Sequence, residues 1–119
     1  MIFIKTATNS ETRNLVLWVK GHAGAAEEGR DIICAAASML AQTVAQEAIN
    51  MGARHQLSKP AHVEIERGDT VVSIFAKDDI AYVEALHLLH VAEVGFSLLA
   101  HHYPEYVDFT KVTRRNAIT

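Results

Sequence analysis

The hydrophobic period changes repeatedly along this chain, and that alternation constrains the fold more than any other feature. Up to Lys20 the repeat is two: Ile2, Ile4 and Thr6 lie to one side of Phe3 and Lys5, and Leu15, Leu17 and Val19 to one side of Val16, Trp18 and Lys20. The turn-prone segment TNSETRN between the runs predicts an antiparallel pair. From Asp31 the repeat becomes helical through Ile33, Ala37, Leu40, Val44, Ala48 and Met51, with Gly52 as its stop. After the polar link RHQLSKP, alternation returns in AHVEIERGDTVVSIFA. There Arg67, Gly68 and Asp69 turn a second hairpin, and Pro60 belongs at a strand's start or edge. A second helix is predicted from about Asp79 to His102, since Pro104 disfavours helical angles in the residue before it. An extended tail around Val107 to Val112 adds to the sheet. The order ββαββα, with that C-terminal strand, predicts an α+β fold: two layers, an antiparallel sheet packed with two helices.

A chain of 119 residues, 50% apolar by type, buries one core, so residues 1–119 are expected to form one domain. A formal net charge of −3 provides no basic field for phosphates, which argues against direct nucleic-acid binding. Lys111, Arg114 and Arg115 read as a solvated end. The segment MIFIKTAT has too few apolar residues before Lys5 for a signal-peptide core, and no later run is read as a membrane span. A cytoplasmic protein without a membrane partner is expected. The one cysteine cannot form an internal disulfide, which leaves packing, metal binding or nucleophilic chemistry.

The second helix carries apolar residues on two sides. Ala85, Leu88, Leu89, Ala92, Phe96 and Leu99 share one broad face, while Val83, Val94 and Leu98 lie opposite, among His87, His90 and His101. One sheet cannot cover both, so the far side is expected to meet a second subunit in a homodimer.

The chemistry concentrates in GHAGAAEEGRDIICAAASML, Gly21 to Leu40. With Asp31 as N-cap, Ile32, Ile33 and Cys34 become the first helical residues. Cys34 then sits where the helix dipole favours an anion, by about 0.3 to 1 kcal/mol. That is too little to ionise a thiol, so the sulfur needs a partner such as a protonated imidazole, and His22 is the candidate. Gly24 and Gly29 let the intervening loop fold back, and its Glu27 and Glu28 suit a basic substrate. The N–H groups of Cys34 and Ala35 are candidate oxyanion donors, and Ser38 follows one turn on.

Plainer readings stand beside these. A cysteine in an Ala-rich helix is commonly a small hydrophobe, Asp31 only a cap, and Ser38 a residue bonded to a preceding carbonyl. His87 and His90 lie three apart and could share an ion, but His101 is about 16 Å further along the helix, so no metal site and no cofactor are expected.

The same stretch resembles the signature of the ribosomal-processing cysteine protease family (Prp, YsxB-like). The likeness rests on its glycine–histidine pair, the acidic residue three before the cysteine, and the small residues and serine after it; YPEYV at 103–107 is similar to the family's C-terminal element. The resemblance implies a homodimeric bacterial thiol protease of ribosome biogenesis, one that removes the N-terminal extension of ribosomal protein bL27 during large-subunit assembly. It implies Cys34 as nucleophile and His22 as base in a dyad, with Gly21, Asp31 and Ser38 as supporting neighbours and Glu27 and Glu28 toward the substrate. The link GARHQLSKPAH and the tail DFTKVTRRNAIT are longer than the family pattern. A noncatalytic assembly factor that grips ribosomal protein tails is the alternative.

Overall fold

The computed structural model describes residues 1–21, 30–66 and 68–114. β1 (Ile2–Asn9) and β2 (Asn14–Gly21) form the first hairpin, in register from Ile2 opposite Gly21 to Asn9 opposite Asn14. α1 (Arg30–Ala53) follows, then β3 (His62–Glu66), β4 (Asp69–Phe75), α2 (Asp79–His102) and β5 (Val107–Arg114). The strands make one sheet in the order β3-β4-β2-β1-β5.

Alternation decides which face is covered. Ile2, Ile4 and Thr6 of β1, Leu15 and Leu17 of β2, and Val72 and Ile74 of β4 are all buried and share one side through the cross-strand register. Both helices pack on that side. α1 lies close to the sheet because its inner line is mostly alanine, with Ala37, Ala41, Ala45 and Ala48 buried. α2 fits Ala85, Leu89, Ala92 and Phe96 into the same core. Val83, Val94 and Leu98 stay about half exposed on its far side, as the helical projection predicts.

α2 is sharply bounded. Asp78 caps it by accepting a hydrogen bond from the Ala81 amide at 2.9 Å, and the Tyr103 amide closes it on Leu99 O just before Pro104. Both helices have the length and hydropathy of a membrane span, contrary to the sequence reading, and each lays one face on the sheet.

One expectation changes in kind. α2 carries the chain back to the end of the sheet where β1 begins, so the tail enters beside Ile2 and runs in the same direction as β1. The β1–β5 pair is parallel and the sheet is mixed rather than antiparallel. The Ile2 amide donates to Tyr106 O at 2.7 Å and holds this entry.

Candidate active site

The end of the sheet where β2 finishes is also the end where α1 starts. Gly21, the last residue of β2, has φ +97°, and a Cβ there would come within 2.4 Å of Met1 O. Only glycine fits. Its amide donates to Gly68 O at 2.9 Å, so the point where the chain leaves β2 is pinned between the first residue and the second hairpin. His22 continues from that point; His22, Glu27 and Glu28 lie outside the described residues.

Cys34 is half-buried in the second turn of α1 and packs against the edge of the core. The helix starts at Arg30, so Asp31 is its second residue rather than its cap, and Cys34 is the fifth rather than the third. The reason is that the chain is already helical one residue before the acidic position. The N–H groups of Cys34 and Ala35 therefore fall inside the helical ladder and are not the open donors expected from the sequence. The Asp31 side chain lies outside the described residues. Ser38 is exposed one turn beyond Cys34, on the same side of the helix.

A second polar group escaped the sequence reading. Glu93 is only 7% exposed within the apolar face of α2; its carboxylate accepts from Thr6 Oγ1 of β1 at 2.5 Å. Its other oxygen is 3.7 Å from Lys111 Nζ of β5 and 3.9 Å from His90 Nδ1. The available signal was a carboxylate set four residues after Leu89 and three before Phe96, on a core-facing line. Among the described residues, no three His, Cys, Asp or Glu side chains come together as a metal cage.

A half-buried cysteine near the start of α1 thus stands at the end of the sheet where the glycine-pinned exit of β2 lies. The chain belongs to the cysteine protease Prp family, whose model matches residues 1–108. No curated protein matches it. Among solved structures, SMU.848 from Streptococcus mutans superposes with a TM-score of 0.67 at 22% identity, covering 96% of this chain and 96% of that one. The essential ribosomal processing protease Prp from S. aureus, in complex with a substrate peptide, gives a TM-score of 0.61 at 22% identity, covering 93% of this chain and 99% of that one. Its complex with a covalently linked product peptide gives the same values. At these identities the structural likeness is one of fold. Residues 109–114 of β5 extend past the family match.

Proposed function

We propose that this protein is a cytoplasmic ribosomal processing protease that removes the N-terminal extension of ribosomal protein bL27 with a Cys34–His22 dyad. The observation that supports the reading is the family match, which spans both residues, together with the position of Cys34 near the start of α1, the helix that follows β2. In this mechanism the imidazole of His22 takes the thiol proton and the sulfur attacks the scissile carbonyl carbon. The C–N bond then breaks, the departing amine takes the proton from the imidazolium, and an acyl-enzyme remains. Water, deprotonated by the same imidazole, hydrolyses the thioester and restores the thiol.

Gly21 sets the direction in which His22 leaves the sheet, Asp31 and Ser38 flank the nucleophile, and Glu27 and Glu28 meet the basic part of the substrate. The working form is a homodimer joined through the outer face of α2. Purified protein incubated with bL27 from the same genome should release its N-terminal segment, read by intact mass and N-terminal sequencing. Cys34→Ala and Cys34→Ser should each abolish release while melting like the wild type; turnover retained by Cys34→Ala removes the reading.

A further inference from the structure

One side of α1 is left open, beginning one turn after Cys34 at Ser38. At about 100° per residue, Ser38, Gln42, Ile49 and Ala53 follow one exposed line along the helix, beside the buried Ala41, Ala45 and Ala48. Leu40, which abuts Gly95, points the other way, toward α2. Across from the open line stands β3, the last strand of the sheet. Its Val63 and Ile65 pair with Val72 and Thr70, both buried, so they project to the helix side. Ile65 nevertheless keeps 51% of its surface exposed, and Ile49 on the helix keeps 52%. The exposed margin between them forms a trough, and beyond it, far from Cys34, lies a cavity of ≈ 480 Å³ whose lining includes Ile49, Gly52, Leu57 and Ala61 together with His55 and Lys59.

Length and charge specify what fits. Cys34 and Ile49 are fifteen residues apart, about 22 Å along the helix axis. An extended chain covers that distance in about seven residues. The outer edge of β3 carries no strand among the described residues, so its backbone can pair with an added one. On the opposite face of β3, Glu64 and Glu66 alternate with Val63 and Ile65; Glu64 is 60% exposed and lies 3.1 Å from His62 Nε2. Two carboxylates on so short a strand disfavour pairing with a second copy of β3 and favour a cationic partner.

We propose that the edge of β3 and the trough beside it hold the basic flank of the substrate polypeptide as a sixth strand. Alternate apolar residues of that strand turn toward Val63, Ile65 and Ile49, and its lysines or arginines turn toward Glu64 and Glu66. The assignment rests on the protease reading above and names where specificity beyond the scissile bond resides.

The probes are peptides from the N-terminal region of bL27 of the same genome, lengthened stepwise on each side of the scissile bond. On the basic flank, kcat/KM should rise until about seven residues are present and then level off. N-methylation of that flank's backbone should weaken cleavage at alternate positions only, because every second N–H enters the ladder. The double variant Glu64→Lys/Glu66→Lys should lower the ratio of kcat/KM for long over short peptides about tenfold, through KM. In Cys34→Ala protein, whose trough is intact, the long peptide should slow amide hydrogen exchange in β3. Cleavage of all peptides with no length dependence, no alternation under N-methylation, or no protection of β3 overturns the proposal and leaves the protease reading standing. No cleavage of any peptide by the wild type overturns both.

Discussion

At Gly21 an added methyl group meets backbone, whereas at Gly95 it meets a side chain, and the two glycines should respond differently to the same change. The 2.4 Å approach at Gly21 is to the Met1 carbonyl, and φ is +97°, so alanine there is strained twice. Gly21→Ala should cost about 1 to 3 kcal/mol in denaturant unfolding. It should reduce peptide cleavage further than the lost stability explains, because relief moves the residue from which His22 departs. At Gly95 the nearest atom is Leu40 Cδ2 at 2.8 Å, the end of a side chain that can rotate. The helix-propensity gain of about 1 kcal/mol offsets that displacement, so Gly95→Ala should be close to neutral. Equal and large losses at both positions would contradict the close approach described for Gly21.

Three elements meet at Glu93: Thr6 from β1, Lys111 from β5 and the carboxylate itself from α2. Replacing Thr6 with valine keeps the volume and removes the hydroxyl donor, leaving a carboxylate oxygen buried without its bond. Thr6→Val should therefore cost about 1 to 3 kcal/mol, and much of the loss should disappear in a Glu93→Leu background, a coupling that a double-mutant cycle measures. Tyr82, also on α2, responds to pH. Burial pushes its phenol above the usual 10.0, with a Thr8 hydrogen bond opposing. The folded state thus binds the proton more tightly than the unfolded chain, so this contribution is complete below the unfolded value and is lost as pH rises through the folded one. One phenol should titrate above the usual tyrosine value in phenolate absorbance, and Tyr82→Phe should remove that step and flatten the alkaline fall in stability.

Across the whole molecule, what could be read from the sequence was whatever has a local cause. Period and turn chemistry place the two hairpins, and α2 runs from Asp79 to His102, just short of Pro104, at its predicted limits. The Gly21–Leu40 stretch pointed to the family that the match over residues 1–108 establishes. Long-range effects were hidden: Glu93 is 87 residues from Thr6, and the parallel course of β5 depends on where α2 delivers the chain. The outer face of α2 was legible because its apolar residues exceed what one sheet can cover. Leu98 remains 55% and Val94 50% exposed, beside a cleft of ≈ 450 Å³ that also includes Ser97 and Lys111. If this face joins two subunits as proposed, light scattering at micromolar concentration should give twice the chain mass. Leu98→Glu should raise the dissociation constant roughly thirtyfold or more, since a carboxylate would then be buried at the centre of the interface. The separated subunit should unfold no more easily for the change, because in the single chain that side chain already faces water. A monomeric wild type, or a Leu98→Glu protein that stays dimeric, would move the interface elsewhere.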